Sequence, residues 1–349
     1  MAKSGFIINA ETFLWTERGL LKASEIRKED LVLGLDRVGR PSWATLTSSA
    51  MRSRLRRIIT DCNDIMLGGS CGVFTVRGLK KASRVTEEDI IETANLPSGV
   101  HKKWDELPLP KIDTKYGTII IDEKLAYLLG TQVNIPYHNR MVFTDLNREG
   151  NRDMARLFSD TLREHGIWRK LLYSRWGTRV RFESRTFEKL SSHVWKNNIP
   201  LFIRQSSPYI LRQFLCGLLD MIIRIDEYEK PLLYFITPIH NSHLRRFVFN
   251  SLRLFNIIPV KTYVFHPKNN LPYAKTFVRY CDLKDLGLRF YKICEPVSKV
   301  DINLRPSGYS QVRDLSLFFS KASLLQTAKL HWSLIADLVP IYPSRSYAE

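Results

Sequence analysis

The chain has 349 residues, 44% of them apolar, with 53 lysines and arginines against 35 acidic residues for a formal net charge of +18. That length can bury more than one core and suits two domains, and no run of about 18 apolar residues that could cross a membrane occurs. Cys62, Cys71, Cys216, Cys281 and Cys294 form no C-x-x-C pair, which argues against zinc and for a reducing cytoplasm, each thiol a small buried hydrophobe. The first residues, MAKSGFIINAETF, hold too short an apolar stretch for a signal peptide.

Charge is unevenly distributed. Residues 1–97 carry 15 basic and 12 acidic residues, residues 98–295 carry 32 and 19, and residues 296–349 carry 6 and 4. The middle segment therefore holds +13 of the +18. A domain this basic attracts polyanions through phosphates and counterion release. No Lys/Arg-rich amphipathic helix stands out, so an anionic membrane surface is the weaker reading.

Residues 1–97 contain an internal repeat. The run from Arg18 through Gly19, Ala23 and Asp30 matches that from Arg77 through Gly78, Ala82 and Asp89, at a constant offset of 59. Short strand-like runs at Phe13–Thr16, Leu31–Leu35, 56–60 and 73–76 suggest a compact β fold with twofold pseudosymmetry. Thr12-Phe-Leu-Trp-Thr with Gly19 and Glu29-Asp30-Leu31-Val32, then Thr60-Asp-Cys-Asn63, then 78–91, resembles the Hint fold of inteins and hedgehog-type autoprocessing domains. The resemblance places a splicing nucleophile five residues before Thr12, where Ile7 stands, and a T-x-x-H histidine where Asn63 stands. Neither can do that chemistry.

Residues 98–121, rich in Pro, Gly and charge, read as a linker. Two apolar stretches follow, LAYLLGTQVNI at 125–135 and FLCGLLDMI at 214–222, each with helical spacing and one interior glycine, Gly130 and Gly217. An interior glycine costs roughly 1 kcal/mol against alanine and usually has a packing reason. Either the two helices meet backbone to backbone there, or they are unrelated core helices. After each comes a strand-like run (140–144, 233–237), an amphipathic segment, and further strand-like runs (170–173 and 178–182, then 260–265 and 276–280). Leu162/Leu252, Arg163/Arg253 and Ile167/Ile257 repeat at one offset of 90. Helix, strand, helix, strands thus occurs twice, an internal duplication.

This duplicated unit, residues 122–297 with halves at about 122–196 and 209–297, resembles the LAGLIDADG homing endonucleases. The resemblance implies a pseudo-twofold αββαββα-type domain whose motif helices pack at the axis and whose strands form a saddle over DNA. It also implies an acid at the base of each helix that binds Mg²⁺. Those positions hold Ile135 and Ile222, and the glycines after them are replaced by Pro136 and Ile223. Mg²⁺ takes oxygen ligands, and isoleucine has none to give. Asp220 matches the earlier, non-catalytic acid of the motif; it or Asp226 could substitute, although a lone acid is more often solvated or capping. His138, His240 and His243 read as surface or contact residues.

Arg179 and Arg181 alternate with Val180 and Phe182 and should share one strand face. Arg175, Lys261, Lys275 and Arg279 fall on comparable runs or turns, and Arg140 opens the first of them. On a saddle these seven would reach phosphates and base edges. Tyr173, Trp176, Tyr263 and Tyr273 interleave them, as core or as stacking partners. Arg52, Arg54 and Arg56 alternate in the first domain and suggest a lesser patch. Residues 298–325 have helix-like apolar spacing at Leu315, Phe318, Phe319 and Ala322 and receive no assignment. Residues 326–349 resemble the Hint strand that returns after an endonuclease insertion, and the chain stops before the terminal His-Asn of inteins.

The expectation is an α+β chain, a compact all-β Hint-like domain with an inserted duplicated LAGLIDADG-like domain, a free-standing cytoplasmic monomer. It would bind structured RNA, ribosomal RNA among the options, or duplex DNA, with no cofactor, no metal site and no catalysis. Alternatives are a site-specific DNA-binding regulator, an active Mg²⁺-dependent endonuclease using displaced carboxylates, and a relic with no selected role.

Overall fold

The computed structural model describes residues 4–94, 102–105, 107–114, 117–133, 141–143, 149–174, 177–183, 190, 199–225, 232–239, 242–268, 270–289, 309–327 and 332–343. In chain order the strands begin with β1 (Ser4–Asn9), β2 (Phe13–Thr16), β3 (Gly19–Lys22), β4 (Leu31–Leu35) and β5 (Pro41–Thr45). Next are β6 (Thr47–Thr60), β7 (Asp64–Gly68), β8 (Gly72–Thr75), β9 (Gly78–Lys81) and β10 (Ile90–Glu92). Helix α1 (Lys102–Asp105) leads to the hairpin β11 (Lys111–Thr114) and β12 (Gly117–Ile120), then α2 (Glu123–Thr131), β13 (Met141–Phe143) and α3 (Glu149–Glu164). Strands β14 (Trp168–Ser174) and β15 (Gly177–Glu183) precede α4 (Leu201–Arg204), α5 (Pro208–Ile222), β16 (Arg224–Ile225) and β17 (Leu232–Pro238). The chain continues through α6 (Ser242–Leu254), β18 (Lys261–Phe265), β19 (Tyr273–Arg279) and α7 (Tyr280–Leu286) to β20 (Tyr309–Thr327), β21 (Ser333–Ala336) and β22 (Val339–Tyr342).

The chain is α+β and divides into two compact units. One contains Met1–Trp104, Thr237–Thr276 and Asn303–Glu349; the other contains Asp105–Ile236 and Phe277–Ile302. The segment with α6 and β18, part of the duplicated stretch in sequence, therefore belongs to the first unit. No described helix is long and apolar enough to cross a membrane.

The first unit is built on a 13-stranded sheet ordered β1-β7-β6-β20-β10-β8-β22-β21-β2-β4-β5, with β3 on β2 and β9 on β8. Its core gathers Phe6, Ile8, Leu14, Val32, Ile58, Ile65, Val73, Ile91, Leu325 and Leu334 from strands far apart in sequence. Positions 59 residues apart make matching hydrogen bonds. Ala23 N–H donates to Thr12 O at 2.8 Å as Ala82 N–H does to Cys71 O at 2.8 Å. Thr16 Oγ1 donates to Gly19 O at 2.9 Å as Thr75 Oγ1 does to Gly78 O at 2.8 Å. Each hairpin turns on a glycine at positive φ, 96° at Gly19 and 99° at Gly78, the conformation that favours glycine.

Residues 309–327 form one 19-residue strand, β20, and not the helix that the spacing of Leu315, Phe318, Phe319 and Ala322 suggests. Three neighbours claim its backbone: β6 along most of its length, β1 over 322–327 and β10 over 309–311. Ladder bonds to three strands outweigh an apolar spacing with no helix caps behind it.

In the second unit α3 packs on the three-stranded sheet β13-β15-β14, burying Met154, Ala155, Phe158 and Leu162. A four-stranded sheet runs in the order β16-β17-β19-β18. Helix ends follow their sequence signals. The Asp122 side chain accepts from Leu125 N–H at 2.9 Å to start α2, and Pro208 takes the first turn of α5 after Ser207. Two C-caps 90 residues apart share one geometry. Ile167 N–H donates to Leu162 O at 2.8 Å and Gly166 N–H to Arg163 O at 2.9 Å, while Ile257 and Asn256 donate to Leu252 and Arg253 at 2.9 and 3.0 Å. Gly166 (φ 67°) and Asn256 (φ 59°) both sit left-handed, the geometry of a Schellman stop.

Candidate nucleic-acid interface

Helices α2 and α5 cross at their two glycines. A Cβ on Gly130 would lie 2.0 Å from Phe214 O and 2.9 Å from Leu218 N; one on Gly217 would lie 2.0 Å from Tyr127 O. The helices touch backbone to backbone, with Tyr127, Leu128, Phe214 and Leu218 buried around the contact. Of the two readings open in the sequence, the close crossing is the one found.

Asp220, one turn beyond Gly217, is fully buried. Its Oδ2 accepts from Tyr127 O–H at 2.7 Å and from Arg289 N–H at 3.1 Å, and the Arg289 guanidinium lies 4.6 Å over the Tyr127 ring. This carboxylate is committed to joining α2, α5 and the segment after α7. Ile222, the last residue of α5, offers no oxygen to a cation, so the described residues at the foot of that helix do not fit Mg²⁺. Ile135 and Asp226 lie outside the described residues.

The basic residues fall into distinct places. In β15, Arg181 is exposed and Val180 is fully buried, so the sheet turns one face inward and one outward. Arg181 stands directly opposite Lys170 of β14 and Met141 of β13, and Lys170 is exposed as well. Lys170 is a cation that alternation along one strand alone does not single out; pairing register reveals it. Arg179 occupies the equivalent position two residues earlier in β15, opposite Leu172 and Phe143. Arg140 and Arg175 lie outside the described residues, as do Trp176 and the Tyr173 side chain.

On the other sheet Lys261 lies with its ammonium 5.2 Å from the centroid of the Tyr263 ring, and Phe265 stacks on Tyr273 at 5.0 Å. Lys275 is half-buried in β19. Arg279 donates through Nε to Asp282 Oδ2 at 2.8 Å at the start of α7.

Not all the positive charge is surface charge. Arg204, Arg245, Arg246 and Arg253 are buried, so the charge count over 98–295 overstates what a partner can meet. Three of them lie on α6 in the first unit. Asp64 receives Arg57 in two bonds of 2.9 and 2.5 Å and faces Arg246 at 3.7 Å and Arg245 at 3.9 Å. Arg246 Nε also donates to Asp64 O at 2.7 Å. Burial alone would raise the Asp64 carboxyl; the three guanidinia outweigh it and hold it well below the usual carboxylate range. Helix α6 carries buried Leu244, Phe247, Val248, Phe249 and Leu252 around its arginines. With Arg245, Arg246, Asn250 and Arg253 beside those apolar residues the helix reads in sequence as amphipathic, the pattern of a surface helix, so no local signal marks these arginines as buried.

Asp337, in the tight turn between β21 and β22, is the second buried acid of the cluster. Burial pushes it up to about 7, with the Asp64 charge adding and Arg246 opposing. A carboxyl raised from its ordinary 3.8 to about 7 holds its proton in the folded state and loses it in the unfolded one over that window. Folding stability is therefore greatest below pH 4 as far as this group is concerned, and falls by a few kcal/mol as pH rises toward 7. Glu92, also raised by burial, slopes the same way. Urea melts at pH 4, 5.5 and 7.5 should show this decline, and Asp337→Asn should flatten it. A decline unchanged in Asp337→Asn would remove the assignment.

Ile7 and Asn63, the positions singled out by the Hint resemblance, are built into the first unit. Ile7 lies mid-strand in β1, paired with Leu324, and its N–H meets Cys71 Sγ at 3.4 Å. Burial pushes the Cys71 thiol up to about 11, so the sulfur nearest that position stays a thiol. Thr60 Oγ1 accepts from Asn63 N–H at 3.1 Å. The Asn63 amide, with its nitrogen turned toward the carbonyls, donates to Asp337 O at 2.7 Å and Cys62 O at 2.9 Å. An amide so placed neither takes nor gives a proton at neutral pH.

No family model matches the chain, and no curated protein matches it. Among solved structures, mesophilic variants of the homing endonuclease I-DmoI overlay 47% of this chain and 92% of their own, at 13% identity and TM-score 0.35. I-DmoI in complex with DNA and Ca overlays 47% and 86%, at 13% identity and TM-score 0.35. The DnaX mini intein from Spirulina platensis overlays 27% of this chain and 71% of its own, at 17% identity and TM-score 0.23.

Proposed function

We propose that this chain is a nucleic-acid-binding protein without catalytic activity, built on a Hint-like domain and a duplicated LAGLIDADG-like domain. It holds structured RNA, ribosomal RNA included, or duplex DNA against the outer faces of its basic strands. The observation that carries the reading is the row in which Lys170 stands directly opposite Arg181 with both exposed. Two exposed cations in one cross-strand row stand where one phosphate backbone can meet both. The absence of catalysis rests on Ile135 and Ile222 where the resemblance expects carboxylates, and on Asp220 being engaged by Tyr127 and Arg289.

Salt tests the reading. Binding should weaken steeply with salt, and Arg179→Gln/Arg181→Gln should reduce the slope of log K against log[salt] by about 2, close to 0.9 per lost duplex contact. An unchanged affinity and slope in that double variant would remove the saddle. Plasmid cleavage in Mg²⁺ that vanishes in Asp220→Asn, with the melting temperature of that variant unchanged, would instead establish an active endonuclease.

A further inference from the structure

We propose a second contact, for single-stranded nucleic acid, on the ribbon that β6 and β20 form over residues 52–56 and 317–321. The argument starts from register. Arg52 lies opposite Lys321, Arg54 opposite Phe319 and Arg56 opposite Leu317. Directly opposed residues share a face, so one face presents three arginines, a lysine and two apolar side chains in two adjoining rows. Along each strand neighbours on that face are about 6.7 Å apart.

That face is open. Residues 47–52 and Arg54 of β6 are exposed, Phe319 is 72% exposed and Leu317 49%. On the opposite face Leu55 and Ala322 are buried while Met51 and Phe318 are exposed; the arginine face is itself buried beyond both ends, at Ile58 and at Leu325, and open between them. Arg56 is partly held by a bond to Val85 O at 3.2 Å, which stiffens the base of the row. Residues 47–58 and 315–327 contain five basic residues and no acidic one; of the five, Arg57 is bound to Asp64, leaving four cations that no carboxylate within the ribbon neutralises.

The chemistry selects the ligand. Regularly spaced cations follow a phosphate backbone, and a bare phenyl ring among them offers a stacking platform to a planar apolar group. Bases in a duplex are stacked on one another and present no face to Phe319, whereas unpaired bases do. An anionic membrane would ask for a broad apolar face, and this one has two apolar side chains among four cations. The expected ligand is an unpaired RNA or DNA segment with its backbone along Arg52, Arg54 and Lys321 and one base on Phe319. The contact is separate from the strands proposed to hold structured RNA or duplex, and stands or falls without them.

The test uses the full chain with fluorescent mixed-sequence 20-mers of single-stranded RNA and DNA, the matching duplexes, and vesicles containing phosphatidylserine. Phe319→Ala and Arg52→Gln/Arg54→Gln should each weaken single-strand binding about tenfold, with little effect on duplex affinity and an unchanged melting temperature. Arg179→Gln/Arg181→Gln should leave single-strand binding in place, which separates failure here from failure of the saddle. Single-strand affinity unchanged in both ribbon variants, or a wild-type chain that binds vesicles and no single strand, would overturn the proposal.

Discussion

Gly217→Ala is expected to cost the chain at least about 3 kcal/mol, as is Gly130→Ala. Ordinarily the exchange would help, because alanine is favoured over glycine inside a helix by roughly 1 kcal/mol. Here the added methyl of residue 217 would stand 2.0 Å from Tyr127 O and 3.2 Å from Thr131 N, and that of residue 130 would stand 2.0 Å from Phe214 O. These are backbone atoms, so no rotamer change relieves the contact. The helices must separate, and separation loosens Tyr127, Leu128, Phe214 and Leu218, all essentially fully buried. Because either substitution forces the same separation, the double variant should cost much less than the sum. Urea denaturation checks both points. A Gly217→Ala chain more stable than the parent would mean that the helices do not touch there.

Asp64→Asn should cost about 3–5 kcal/mol, the range for breaking a buried ion pair from one side. The amide keeps the shape and can still accept one bond. It no longer balances Arg57, Arg245 and Arg246, each with a side chain at most 2% exposed. The remaining acid, Asp337, is held up by burial and by the Asp64 charge; losing that charge favours its ionised form beside Arg246 and offsets only part of the loss. Thermal melts of the variant should fall steeply. A loss under about 1 kcal/mol would mean that the cluster is not closed to solvent or to a small anion.

Parts of this fold were legible because local signals agreed with one another. Phe13–Thr16 and Leu31–Leu35 are strands residue for residue as the sequence reads, each a short apolar run beside a turn. The glycines at 130 and 217 offered a close approach as one of two readings, since an interior glycine usually has a packing reason. Matching turns were legible in the residue types that caps and hairpin turns demand, such as Gly19 with Gly78 and Gly166 with Asn256.

What stayed hidden depends on pairing across long separations. Nothing near Arg245 and Arg246 says that their counter-charge is Asp64, some 180 residues earlier. Lys170 became a candidate only through register with Arg181. Phe318 and Phe319 mimic a helical stripe because β20 changes neighbours along its length, so its exposed residues do not alternate in a simple period of two. Arg279 reads as a saddle cation and proves to be paired with Asp282.

The most direct test of binding without cleavage is to crosslink the chain to nucleic acid in its native host, purify it, and sequence the bound RNA and DNA with their ends mapped. The account predicts discrete sites, in structured RNA or in duplex DNA, whose phosphodiesters are intact across the site. Absence of any enriched nucleic acid would contradict the binding claim, and breaks at a fixed position within the sites would contradict the claim of inactivity.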